Sequence, residues 1–354
     1  MSESETTEIR SGQDIHISRL AGYLAEALPD FKKPLTARQF KGGQSNPTYL
    51  LQTPNRLYVL RKKPPGNLLP AAHMIEREYR VMAALKCTDV PVANARLLCE
   101  DASIIGTPFY VMEYIDGRIF RDPAIPELRP PERTAIYNTM VDTMATLHSV
   151  GWESKGLEGF GKPSGYLARQ IKLWTHQYEA AKTHEIKAMN TLIAWLPEHI
   201  PMNEMTAIAH GDFRLENLIF APQDSKVLAV LDWELATLGH PYADLAYNCM
   251  IWHLPANTPH LRGLGGLDLP ALGIPSEEEY IARYCAGVGL SHIPDYNFYL
   301  AFSFFRFAAI AQGIFARFKA GNAAAPNAKQ VGLLAAPMAD FGWKFITSKT
   351  SLYS

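Results

Sequence analysis

Few cysteines, few charges and almost no net charge set the first limits on this sequence. Its 354 residues include 4 cysteines, Cys87, Cys99, Cys249 and Cys285, far apart and in no C-x-x-C pair. That spacing argues against a disulfide framework or a cysteine zinc site and suits reduced thiols in a cytosol. Lys and Arg number 34 against 35 Asp and Glu, a formal net charge of −1. Such a balance gives no electrostatic case for nucleic acid or an anionic membrane as a partner. The opening MSESETTEIRSGQDIH has neither the basic nor the apolar region of a secretory signal, so a cytoplasmic location is expected. Internal repeats and low-complexity segments are also missing. One long apolar run stands out, Asn297 to Phe318, and Arg306, Gln312 and Arg317 interrupt it. A central arginine is costly in lipid, so this run reads as a buried helix and no membrane partner is expected.

What is present is an ordinary globular composition, 47% hydrophobic and 19% charged, with length for one large domain or two lobes. Apolar spacing predicts a helix over 14–28, closed by Pro29. TARQF, PTYLLQT and RLYVLRK read as three strands joined at Gly42–Gly43 and Pro54–Asn55. A helix over 71–85 follows, then two more strands, ARLLCED and PFYVMEYID, ended by Asp116–Gly117. From about Pro130 the pattern turns helical, with predicted helices over 132–150, 165–181, 187–196, 276–289, 297–318 and 330–346. Only NLIFAP and KVLAVLDWE break it as strand-like runs. The expected division is therefore a strand-rich part, 1–115, and a mainly helical part, 116–354: an α+β protein with a small antiparallel sheet, one main helix beside it, and a larger helical lobe.

The densest polar chemistry lies in HGDFRLENLIF, His210 to Phe220. Four residues separate Asp212 from Asn217, and Asp232 ends the next apolar run, 20 residues after Asp212. A hairpin of the two runs would set Asn217 beside Asp232. A carboxylate and an amide oxygen suit Mg²⁺, which completes its shell with phosphate and water. A separate aspartate can take the proton of an attacking hydroxyl. Each acid alone is also readable as a turn cap or a strand-end carboxylate; the joint spacing favours phosphoryl transfer.

These residues carry a resemblance. His210-Gly211-Asp212 with Asn217 matches the H-x-D-x-x-x-x-N catalytic loop of the protein-kinase-like fold, and Asp232-Trp233-Glu234 stands where kinases carry D-F-G. The glycine at 211, the D-W-E form and GHPYADLAY (Gly239 to Tyr247) are similar to the aminoglycoside phosphotransferase and choline kinase family. The resemblance, over roughly Thr36 to Tyr247, implies a bilobal fold that binds ATP and Mg²⁺ and phosphorylates a hydroxyl of a small molecule. It makes Asp212 the catalytic base, Asn217 and Asp232 the metal ligands, and Asp244 a brace of the catalytic loop, with His210 in support. It places Gly42, Gly43, Ser45 and Asn46 over the phosphates. Arg61 falls where the V-A-I-K lysine sits, aligned through Tyr58-Val59-Leu60, and a guanidinium can grip phosphate there. Lys62 should face the other side of the strand. The acid on the following helix is Glu76 or Glu78, with REYRVMAAL favouring Glu78. Adenine would bond backbone groups near Glu113, Tyr114 and Ile115.

GGQSNPTYLL, YVLRKKPPG and REYRVMAAL also resemble the kinase-like domain fused to some acyl-CoA dehydrogenases, which implies a hydroxyacyl compound as acceptor. The alternative is a kinase-shaped nucleotide-binding module without turnover, for which the non-lysine at Arg61 is the motive. Gly156 to Lys162 imitates a phosphate-binding loop, but Pro163 stands where Ser or Thr must bind Mg²⁺, and the segment reads as a loop. Ser276 with Glu277, Glu278 and Glu279 reads as an exposed first helical turn, whose acids suit the helix dipole, rather than a polycation site.

Overall fold

A computed structural model describes residues 5–41, 46–64, 74–258, 261–322 and 327–347. Gly42, Gly43 and Ser45 lie outside the described residues. In chain order the first elements are β1 (Thr6–Thr7), α1 (Ile17–Ala27), β2 (Thr36–Phe40), β3 (Thr48–Gln52), β4 (Leu57–Lys62), α2 (Ile75–Leu85), β5 (Ala95–Cys99) and β6 (Phe109–Glu113). There follow α3 (Pro130–His148), α4 (Tyr166–Ala180), α5 (Lys187–Trp195), β7 (Ala207–Ala209), β8 (Leu218–Phe220), β9 (Val227–Val230), β10 (Thr237–Gly239) and α6 (Pro241–Cys249). The last are α7 (Leu269–Leu272), α8 (Glu277–Val288), α9 (Tyr296–Lys319), α10 (Ala328–Gly332) and α11 (Ala335–Thr347). The fold is α+β, as the sequence led us to expect.

Two compact units divide the chain. The first comprises Met1–Ile119, Glu153–Leu157 and Glu216–Ala236; the second comprises Phe120–Trp152, Glu158–Leu215 and Thr237–Ser354. Asn217 and Asp232 therefore group with the strand-rich unit, although they follow much of the helical sequence.

The first unit is built on a six-stranded sheet in the order β1-β2-β3-β4-β6-β5, antiparallel at every pairing. Strand side chains alternate between faces. Tyr58 and Leu60 of β4 join Tyr49, Leu51, Phe109 and Val111 in a buried cluster with Leu20 and Leu24 of α1. Each such side chain contributes on the order of 2 kcal/mol when fully buried. Arg61 is on the opposite face and meets α2. Lys62 returns to the α1 side, where its Nζ donates to the carbonyls of Gln13 and Asp14 at 3.2 Å each. β8 and β9 form the expected hairpin, Leu218 opposite Val230, and the Leu231 N–H donates to the Asn217 carbonyl at 2.8 Å.

The second unit is helical around α9, which packs against α4, α5, α6, α10 and α11. Its inward residues include Arg306 and Gln312, and Gln312 Nε2 donates to the Ala181 carbonyl and Thr183 Oγ1 at 2.9 Å each. β7 and β10 pair antiparallel beside it. Two expectations need correction. The segment 330–346 is not one helix: α10 ends at Gly332 and α11 begins at Ala335, with Pro337 in its first turn, where a missing N–H is harmless. Ser276 and Glu279 form a capping box, but Glu277 is buried, bound to His253 Nε2 at 2.8 Å and to the Tyr296 hydroxyl at 2.8 Å. The segment Gly156–Lys162 runs as turns and loop with no strand before it.

Candidate functional site

In the first unit the site grows from β4 and α2. Arg61 is buried, and its Nε lies 3.0 Å from Glu78 Oε2, an electrostatic contact rather than a well-aligned hydrogen bond. Glu78, 1% exposed, also accepts from Asn46 Nδ2 at 2.7 Å and from the Tyr110 hydroxyl at 2.9 Å. The helix acid is thus Glu78; Glu76 pairs instead with Lys63 at 2.5 Å. Arg61 Nη2 reaches Asp232 Oδ1 at 2.8 Å and Glu234 Oε2 at 3.3 Å. Asp232 is held at φ 63°, in the left-handed region that Asp tolerates better than most residues.

Three carboxylates face one guanidinium. Burial, and then Asp232 and Glu234, push Glu78 up to about 7 against the opposing pull of Arg61. Arg61 is held above its ordinary value because Glu78, Tyr110, Asp232 and Glu234 outweigh the burial that would lower it. The excess negative charge, with a carboxylate and an amide on adjacent ends of one hairpin, fits a hard divalent cation at Asn217 and Asp232.

β6 ends at Glu113, whose N–H donates to the Asn94 carbonyl at 3.0 Å, and Tyr114–Gly117 follow without regular structure. Gly117 sits against the hairpin: a Cβ there would lie 2.3 Å from the Phe220 carbonyl oxygen. The connector is pinned by paired hydrogen bonds between Arg118 and Phe220, at 2.8 and 2.9 Å.

In the second unit the chain turns at Gly211 with φ 83°, a conformation that explains glycine at this position of the loop. Asp244 of α6 braces the turn, with Oδ2 accepting from the His210 N–H at 2.6 Å and Oδ1 from the Gly211 N–H at 2.9 Å. Burial alone would raise its carboxyl, but His148 and His210 hold it below the ordinary carboxylate range. His148 Nε2 lies 3.3 Å from Asp244, and its Nδ1 lies 2.7 Å from the Tyr284 hydroxyl. Asn248 donates from Nδ2 to the Phe213 carbonyl at 2.9 Å and accepts from the Tyr280 hydroxyl at 2.8 Å. His210 is fully buried, and its Nδ1 accepts from the Asp212 N–H at 3.3 Å, which suits a supporting place.

Asp212 itself is partly exposed and pairs through both oxygens with Arg214, at 2.9 Å to Nε and 3.1 Å to Nη2. The Tyr247 phenol is pushed up by burial first and then by the Asp212 carboxylate near it. Arg214, Tyr247, Arg306, Asn248 and Glu234 were not singled out from the sequence. The signal for Arg306 was present, a lone arginine in an apolar helix, but it served only to argue against a membrane span.

With this geometry in hand, comparison with known proteins is specific. The profile of the Phosphotransferase enzyme family matches residues 36–289. Acyl-CoA dehydrogenase family member 10 of Mus musculus is 51% identical over 316 residues, covering 89% of this chain and 30% of that protein. Acyl-CoA dehydrogenase family member 11 of Homo sapiens is 44% identical over 346 residues, covering 96% of this chain and 44% of that protein. The chain thus spans less than half the length of these curated relatives. Among solved structures, a Ralstonia eutropha protein named after the aminoglycoside phosphotransferases superposes with TM-score 0.87 at 47% identity, covering 94% of this chain and 98% of that one. Choline kinase from Cryptosporidium parvum superposes at 0.65 with 13% identity, covering 93% and 95%, a likeness of fold.

Proposed function

The chain belongs to the phosphotransferase enzyme family, and from that premise we propose an ATP- and Mg²⁺-dependent kinase that phosphorylates a hydroxyl of a small molecule. The observation that carries this reading is Asp212, presented by a glycine turn that Asp244 anchors through two backbone N–H groups. Asp212 would orient the acceptor hydroxyl and take its proton. Arg214, through its two contacts, would fix the carboxylate's direction before an acceptor arrives. Asn217 and Asp232 would hold Mg²⁺, whose part is to neutralise phosphate charge. Arg61, oriented by Glu78, would bind phosphate together with Gly42, Gly43 and Ser45, and the backbone of Glu113 and Ile115 would receive adenine. The relatives named as acyl-CoA dehydrogenases support a hydroxyacyl compound as acceptor.

The test uses labelled ATP, Mg²⁺ and a panel of hydroxyl acceptors on wild type and Asp212→Ala. The variant is expected to lose transfer by at least about 100-fold, on the scale of removing a general base. ATP binding by calorimetry should stay within a few-fold. Loss of binding together with transfer, or loss of neither, would remove Asp212 from this role. A wild type that binds ATP and phosphorylates nothing would favour the binding module that an arginine at position 61 leaves open.

A further inference from the structure

Arg306 is a cation in the second unit that no carboxylate answers among the described residues. It is 7% exposed, and among the described residues no acid forms an ion pair with it. Its Nη2 donates to the Gly211 carbonyl at 2.9 Å, one residue from Asp212. Its Nε is buried with no hydrogen-bond partner. The guanidinium carbon lies 4.7 Å from the Tyr247 ring centre and 5.6 Å from that of Trp174, so the group is held between α6 and α4. Tyr247 also lies near the Asp212 carboxylate, whose charge acts on its phenol.

A buried, unpaired guanidinium is expensive. Two aromatic faces recover on the order of 1 kcal/mol each, and the Gly211 bond uses one donor of five. If the residue served only to brace Gly211, a neutral donor would do so without the cost of burying charge. The nearby acids are already committed. Asp212 is matched by Arg214, and Asp244 is consumed by two N–H groups and His148. Near the proposed base, then, two cations stand against two carboxylates, and Arg306 is the one of the four with no oppositely charged group in contact among the described residues, fixed in orientation by stacking.

We propose that Arg306, stacked between Trp174 and Tyr247, is the subsite for an anionic group, carboxylate or phosphate, of the phosphoryl acceptor. This rests on the kinase reading and narrows it: the acceptor is an acid or phosphate-bearing alcohol, and a polycationic sugar is excluded. A planar guanidinium suits either anion through paired N–H donors.

Calorimetric titration with butyrate, methyl phosphate and butylamine tests the subsite without requiring turnover. Wild type should bind at least one of the two anions and not the amine; whichever anion binds more tightly identifies the source of the charge. Arg306→Met should weaken that anion at least tenfold, and Arg306→Lys should recover part of the loss. A kinetic arm compares matched short hydroxy compounds ending in carboxylate, phosphate ester, carboxamide or amine. Arg306→Met should raise KM for the anionic acceptors at least tenfold more than for the amide, with the change in kcat the smaller of the two. A loop brace alone would lower kcat for every acceptor equally, and that result would overturn the subsite. So would wild type binding neither anion at tens of millimolar, or preferring the amine, and neither result depends on a variant folding. Anion binding lost in Arg306→Met, with no phosphorylation of any acceptor by wild type, would keep the subsite and defeat the kinase reading.

Discussion

Arg61 and Asp244 are each a charge whose surroundings dictate what its removal should do. Arg61→Met leaves Glu78 buried against Tyr110 and Asn46 without its cation. An uncompensated buried carboxylate costs about 3–5 kcal/mol, offset in part because Glu78, already near 7, can take a proton. The urea midpoint of Arg61→Met should therefore fall further at pH 8.5 than at pH 6, and Arg61→Met/Glu78→Gln should recover much of the loss. Equal losses at both pH values would mean that Glu78 is not the group left stranded. Asp244 has the opposite sign. Its folded value is depressed, so its contribution is present above the ordinary aspartate value near 3.8 and is lost as pH falls through the lower folded value. Asp244→Asn should cost about 3 kcal/mol at pH 7. The gap to wild type should narrow below about pH 4; a gap constant to pH 3 would contradict the assignment.

At the scale of elements, the hairpin of β8 and β9 is fixed from outside by Gly117. A methyl group on Gly117 would meet the Phe220 carbonyl at 2.3 Å and Ile219 Cγ2 at 2.6 Å, both too close to keep. Gly117→Ala should break the Arg118–Phe220 pairing and cost about 2 kcal/mol or more. Gly12→Ala is the control, since a Cβ there meets nothing within 4 Å although its φ is 77°; it should cost about 1 kcal/mol, from φ alone. Which elements could be read from the sequence follows similar logic. Strands β3, β4 and β6 are buried along most of their length and show no alternation, so Arg61 was legible through the aligned Tyr58-Val59-Leu60 of the resemblance. β7 and β10 were not: each has three residues, Ala207–Ala209 and Thr237–Gly239, and each is completed by a partner far along the chain. The start of α6 carried a signal, Pro241 at its first position, hidden because GHPYADLAY was read as a motif rather than as a helix. Asp212, Asn217 and Asp232 stood out by spacing. Arg214, Glu234 and Tyr247 did not, because their meaning depends on which side chain they face, and single-residue periodicity cannot supply that.

Across the whole molecule, the three acids around Arg61 leave a local negative surplus in the first unit, whereas in the second Arg214 and Arg306 are matched in number by Asp212 and Asp244. Mg²⁺ bound with nucleotide would meet the need of the first unit, and an anionic acceptor would give Arg306 the partner it lacks. The cation would offset Asp232 and its neighbours, and the acceptor's acid would offset Arg306. Ligand that binds only the folded state stabilises it by RT ln(1 + [L]/Kd), about 2.7 kcal/mol at a hundredfold excess over Kd. At about 2 °C per kcal/mol for a chain of this size, Tm should rise by about 5 °C with saturating MgATP. ATP with excess chelator should give a clearly smaller rise, because the carboxylates then face phosphate without the metal. In Asp232→Asn, which removes one of those carboxylates, the difference between the two conditions should shrink and the response to ATP alone should grow. A Tm response identical with and without Mg²⁺ in wild type would mean that the acids around Arg61 balance that guanidinium and nothing else, and Asn217 and Asp232 would lose their assignment as metal ligands.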